Sequence, residues 1–300
     1  MLTVRLDNPP HNFMTSAMVA ELAAVARSVE GDDGLGAVVV TGVPDDTFIT
    51  HFDVAEILAG AEGASQVSTG VARGSLRAVG AIERIPGGKS ALERSPAAGA
   101  VALRAIHDLF LRMNRMDKVW ISAINGTATG AGCELALACD IRIMADGDGR
   151  IGLPELSLGI IPGAGGTQRL ARLLGPDQAL EMMLEARALK PQEAIGAGLV
   201  HRVVSRDRLL ALAQDTAARL ARRSPATVRA LKNAVYEGAS RSLSEGLHLE
   251  RAAFLSVSGT DAARRAMTAY AAEVEDEGPA ASSPERYERW RQGTVVDLTE

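Results

Sequence analysis

The chain has 300 residues, 47% of them hydrophobic and only 3% aromatic. That is enough for one large domain or two average ones, with a core built mainly from Ala, Val, Leu and Ile. A formal charge of −5 gives no electrostatic reason to expect nucleic acid as a partner. No run of about 18 apolar residues occurs, and the opening "MLTVRLDNPPHN" lacks a basic segment followed by an apolar one, so a cytoplasmic protein with no membrane partner is expected.

In chain order, "LTVRL" reads as a strand, Thr15 to Val29 as an amphipathic helix and "GAVVVTG" as a buried strand. From Asp53 to Arg112 the period loosens and Gly, Ser and Pro accumulate. A mobile, lid-like insertion is expected over about 60–99, with a helix resuming near Ala100. Next, "KVWISAING" and "IRIMA" read as buried strands flanking a short helix over Gly132 to Ala138. Beyond Lys190 the pattern turns helical, with a start at Ser224-Pro225 and a capping box from Ser242 to Glu245. This divides the chain into an α/β core to about residue 200, a helical region over 201–275 and a tail over 276–300. The tail is expected to be flexible, although Tyr287 and Trp290 could dock on another surface.

Chemistry concentrates in "TATGAGCELALACD". Small residues let backbone approach a ligand closely, and a helix beginning there offers unpaired N–H groups to negative charge. Glu134 follows that loop, and Glu155 follows Pro154 ahead of "LSLGIIPGAGGTQRL". Two carboxylates in an apolar pocket suit acid/base addition of water, one taking a proton from water and the other giving one to carbon. The plain alternative for each is a glutamate stabilised by a helix dipole. Cys133 and Cys139 are the only cysteines and read as core. His11, His107, His201 and His248 stand singly, without metal-ligand spacing. "IPGAGGT" and "GTATGAG" do not give the dinucleotide fingerprint, and no GxSxG elbow is present.

Four segments, "NPPHNFMT", "FITHFDVAEI", "INGTATGAGCELALACDIRI" and "IGLPELSLGIIPGAGGTQRL", together resemble the signature segments of the crotonase, or enoyl-CoA hydratase/isomerase, superfamily, in that order. The resemblance implies a ββα spiral core with a helical C-terminal trimerisation region, and a homotrimer or dimer of trimers. It implies an acyl-CoA thioester substrate, whose carbonyl is held by the backbone N–H groups at the positions of Phe52 and Ala131. It implies catalytic glutamates at Glu134 and Glu155, and substrate-binding positions at His51, Asp53, Gly130, Gly132, Pro162 and Gly163. Neither a metal nor a separate cofactor is implied, since CoA belongs to the substrate. Retention of both glutamates favours an enoyl-CoA hydratase that converts a 2-enoyl-CoA to a 3-hydroxyacyl-CoA. The alternatives are another acyl-CoA reaction of that superfamily (isomerase, C–C hydrolase or lyase) or a silent CoA-binding protein.

One position departs from the pattern: His51 stands where the superfamily has glycine. Either His51 or Phe52 reshapes the acyl pocket, or His51 adds a proton-transfer group, or its side chain turns outward. Arg73, Arg77, Arg84, Lys89 and Arg94 punctuate the insertion and are candidates for CoA phosphates or for a solvated loop.

Overall fold

The computed structural model describes residues 1–61, 66–277 and 283–299. The chain begins with β1 (Leu2–Leu6), α1 (Ser16–Glu30), β2 (Ala37–Gly42), β3 (Thr47–Ile49) and α2 (Val54–Ala61). Three more helices follow, α3 (Thr69–Ile82), α4 (Gly88–Glu93) and α5 (Ala98–Arg115). The central stretch is β4 (Val119–Ile124), β5 (Thr127–Thr129), α6 (Ala131–Ala138), β6 (Ile141–Ala145) and β7 (Ile151–Gly152), ending in a 3-10 turn over Glu155–Leu158. Then come α7 (Gly166–Leu174), α8 (Pro176–Leu184), β8 (Ala188–Leu189), α9 (Pro191–Gly196) and β9 (Arg202–Val204). The chain closes with α10 (Arg206–Leu220), α11 (Pro225–Gly238), α12 (Leu243–Ser258), α13 (Asp261–Glu277) and α14 (Pro284–Gln292).

β1, β2, β4, β6 and β9 form a parallel sheet in the order β1-β2-β4-β6-β9. Its strands β2 and β4 are largely apolar and buried because both of their faces are covered. Val38, Val40, Trp120, Ile124 and Met144 enter the main core with α1, α5 and α6, while Ala37, Val39, Ile121, Ala123 and Ile143 meet Leu209, Ala213 and Ala217 of α10. The alternation is the two-residue period of a strand, used here on two buried sides.

A smaller sheet is ordered β3-β5-β7-β8, and β2, β4 and β6 of the first sheet each lead by a short bend into β3, β5 and β7 of the second. Asn125 ties two of these bends together: its Oδ1 accepts from Gly42 N–H (2.9 Å), and its Nδ2 donates to the Thr47 carbonyl (3.1 Å). Both α6 and the 3-10 turn with Glu155 follow strands of this smaller sheet, which brings the two glutamates to one end of it.

Two features differ from the sequence expectation. The insertion over 60–99 is helical in its described residues, where Val79, Leu92 and Val101 make a small separate core against α5 and Arg104 pairs with Glu83 (2.7 Å). Glycines 70, 74 and 80 hide the helical period of α3, and packing against α5 overrides their weak propensity. The helical region begins after β9, not at residue 201, because Arg202 to Val204 complete the large sheet beside Ile143 to Ala145.

The described part of the tail is docked, with Trp290 among the residues that hold it. Arg286 of α14 is buried, sits 4.6 Å above the Tyr270 ring, donates to the Tyr270 carbonyl (3.0 Å) and pairs with Glu273 (2.9 Å). Trp290 Nε1 donates to the same Glu273 (3.0 Å), and Arg223 donates to the carbonyls of Trp290 and Arg291. Residues 278–282 of the predicted tail lie outside the described residues.

The C-terminal helices are fastened to the core by one buried polar group. Lys232 Nζ donates to the carbonyls of Met113 and Lys118 (2.7 Å each) and to Asp140 Oδ2 (2.8 Å), while Tyr236 O–H donates to Asp140 Oδ1 (2.8 Å). All three ammonium protons thus have acceptors, which burial of a lysine requires.

Candidate active site

Helix α6 begins at Gly130, whose φ of 53° and ψ of −124° suit glycine alone among common residues. The helix start leaves the Ala131 N–H without an intrahelical acceptor, and it donates to no group among the described residues. Gly132 allows the approach that follows, since a Cβ there would lie 2.0 Å from the Ile49 carbonyl oxygen. The loop after β3 therefore runs directly against the start of α6.

A second open amide lies on that loop. Met14 bridges in parallel to Phe52: Met14 N–H donates to the His51 carbonyl and Asp53 N–H donates to the Met14 carbonyl, both at 2.8 Å. Phe52 N–H points the other way and donates to nothing among the described residues. A Cβ on Gly130 would be 3.5 Å from His51 Cα. The peptide units carrying the Phe52 and Ala131 N–H groups are thus neighbours, as an oxyanion hole requires.

The loop from 50 to 53 is held by the N-terminal segment. Asn12, buried and in the left-handed region at φ 53°, donates through Nδ2 to the Phe48 carbonyl (2.6 Å), and Thr50 Oγ1 donates to the His11 carbonyl (2.6 Å). Thr129 Oγ1 donates to the Thr50 carbonyl from the other side.

Glu134 is 2% exposed, and its Oε1 accepts from Ala164 N–H (2.7 Å) and Gly166 N–H (2.8 Å). Burial raises its pKa, and those two amides, with the charges of His107 and Arg169, oppose the rise. Its Oε2 has no hydrogen-bond partner among the described residues. Glu155 stands across from it on the 3-10 turn, with Oε2 buried and without a hydrogen-bond partner. Burial, supplemented by the charge of Glu134, pushes the Glu155 pKa up to about 7. Glu155 thus senses the charge of Glu134, and of the two carboxylates one is braced by amides.

An enoyl-CoA hydratase/isomerase family profile matches residues 88–277. The chain belongs to that family. It is 31% identical over 267 residues to the short-chain-enoyl-CoA hydratase of Clostridium acetobutylicum, covering 89% of each chain. It is 41% identical over 162 residues to the 2,3-dehydroadipyl-CoA hydratase of Escherichia coli, covering 54% of this chain and 63% of that one. In three dimensions it superposes on the enoyl-CoA hydratase of Bacillus anthracis with a TM-score of 0.72 at 28% identity, covering 91% of this chain and 93% of the other.

Within this hydratase/isomerase fold, the remaining expected positions divide. His51 is outside the left-handed region, so replacing the family's glycine brings no backbone strain. Its ring stacks on Phe13 (4.3 Å, 24°), which stacks on His11 (5.0 Å, 28°), and its Nδ1 lies 2.7 Å from the Phe52 carbonyl. Those contacts hold the ring against the N-terminal segment. Asp53 Oδ1 accepts from Ala55 N–H (2.8 Å), an engagement that caps the start of α2. Pro162 is buried in the loop leading to α7, and the Gly163 carbonyl accepts from His107 Nε2 at 2.6 Å.

His107, which stands singly in the sequence, reaches this loop because its hydrogen-bond partner lies 56 residues away. Behind the same loop opens a cavity of about 870 Å³ lined by His107, Phe110, Ala164, Gly165, Arg169 and Tyr236 among others. Ala164, which donates to Glu134, lines that cavity, yet Phe52, Gly130, Glu134 and Glu155 do not. Among the described residues, no cluster of three or more His, Cys, Asp or Glu side chains is placed to hold a metal ion, and no helix is long and apolar enough to cross a membrane. The Cys133 thiol is buried, with its pKa pushed up chiefly by burial, which suits a packing role.

Proposed function

We propose that this chain is an enoyl-CoA hydratase that adds water across the double bond of a 2-enoyl-CoA to give a 3-hydroxyacyl-CoA. The observation that carries the reading is the pairing of Glu134 and Glu155, both pushed up in pKa by burial, beside the open N–H groups of Phe52 and Ala131. The thioester oxygen accepts from both amides, which stabilises the negative charge that grows there as C3 is attacked. Water sits between the carboxylates; its oxygen bonds to C3, one of its protons passes to a carboxylate, and a proton passes to C2 from the other. Glu134, braced by two amides, is suited to remain ionised and accept. Glu155, with a pKa of about 7, is suited to carry the proton that is donated.

His51, Asp53, Gly130, Gly132, Pro162 and Gly163 form or border the path of the acyl-CoA in this reading, and no separate cofactor is required. Exposed Leu243, Phe254 and Leu255 on α12 support assembly as a homotrimer or a dimer of trimers, which light scattering would measure.

The test is hydration of crotonyl-CoA and a longer 2-enoyl-CoA, followed by loss of the enoyl-thioester absorbance, for wild type, Glu134→Gln and Glu155→Gln. Hydration that falls by about 10² or more in both variants supports the reading. Isomerised or cleaved product in place of the 3-hydroxyacyl-CoA would replace it.

A further inference from the structure

We propose that His107 is a positioning residue for Glu134, acting through a single peptide group. The inference rests on the hydratase reading above and adds a residue to it. His107 Nε2 donates to the Gly163 carbonyl at 2.6 Å, and the N–H at the other end of that same peptide unit, Ala164 N–H, donates to Glu134 Oε1 at 2.7 Å. A donor on the carbonyl oxygen draws charge through the amide and makes its N–H a stronger donor, so the two bonds reinforce each other. His107 also fixes the plane of a peptide in a stretch, 160–165, that has no helix or strand of its own.

The base of this arrangement is rigid. His107 lies on α5 between Ile106 and Phe110, both buried in the main core, and α5 packs on α1 and α6. Glu134 is thereby fixed from two sides: by its own helix, and by a loop braced from α5. The charged and titratable groups around Glu134 are His107 of α5, Arg169 of α7, Glu155 of the 3-10 turn and Cys133 of its own helix. The neutral ring with its proton on Nε2 and the charged ring both donate to Gly163, so the bond does not depend on the charge state of His107.

The test compares His107→Ala and His107→Gln. In His107→Ala, kcat is expected to fall about tenfold or more with KM within about twofold, because the lost group supports a carboxylate that acts in the chemical step. The acid limb of the kcat profile should move to higher pH, since Glu134 loses support for its charged form. In His107→Gln, the side-chain amide can donate to the same carbonyl and should restore most of kcat. A kcat for His107→Ala within about twofold of wild type would overturn the proposal. So would an unmoved acid limb, or a loss that tracks a lowered Tm and is not rescued by glutamine. If wild type hydrates no enoyl-CoA, the functional reading fails by itself. His107 is then judged by titrating the carbon-13-labelled Glu134 carboxyl: a higher pKa in His107→Ala supports the positioning role, and an unchanged one removes it.

Discussion

Gly130 is the spacer that gives the Glu155 carboxylate its place: a methyl group on Gly130 would lie 3.2 Å from Glu155 Oε1, and 3.1 Å from His51 Cβ on the other side. Its φ of 53° and ψ of −124° add a second constraint, independent of space. Gly130→Ala is therefore expected to cost about 1–3 kcal/mol in stability from backbone strain. It should also cost turnover well beyond that, because the added methyl displaces the Glu155 carboxylate and the neighbouring loop at His51 together. Urea denaturation beside steady-state hydration separates the two effects.

The Ala131 amide can be removed without removing its helix. Ala131 is the first residue of α6, the position where proline is best tolerated because its missing N–H has no intrahelical acceptor. Ala131→Pro should keep the helical circular dichroism of wild type while kcat falls by about 10²–10³. Ala131→Ser, which keeps the N–H, should stay close to wild type.

Glu155 makes stability depend on pH in a defined direction. Its folded pKa of about 7 lies above the ordinary 4.5, so its contribution is fully present below about pH 4.5 and is lost as pH rises through about 7. Glu155→Gln removes that loss. The variant should be more stable than wild type by roughly 1–2 kcal/mol near pH 8, a figure reduced for solvent screening of a partly exposed group, with the gain shrinking toward pH 5. Denaturant midpoints across that range check the sign as well as the size.

The docked tail should matter for stability and not for chemistry. Arg286→Ala removes a buried cation from the Tyr270 ring and from Glu273, and is expected to lower Tm and raise amide exchange in α13. Hydration per active site should be unchanged.

The parts of the fold that were legible were those where burial writes directly into sequence. β2 and β4 read as largely apolar runs because both sheet faces are covered, and α11 and α12 announced themselves through Ser224-Pro225 and the Ser242–Glu245 box, each realised as a cap. Glu134 was legible because the small residues before it have few other uses. What could not be read depends on partners distant in sequence. α3 is held by Val79 against α5, the tail by Glu273 and Arg223, the His51 ring by Phe13, and His107 by a carbonyl in the loop before α7. None of those contacts leaves a local period.

The bridge from Met14 to Phe52, with Asn12 and Thr50 locked across it, makes the first residues of the chain a jig against which an amide is aimed. Such a jig fails quietly. A fusion or substitution that shifts residues 10–14 by a fraction of an ångström would leave the sheets, the core and the thermal midpoint as they were, and would register as a slow catalyst that is otherwise sound. In this protein, low specific activity in a well-folded preparation therefore directs attention first to the N-terminal segment, ahead of the glutamates.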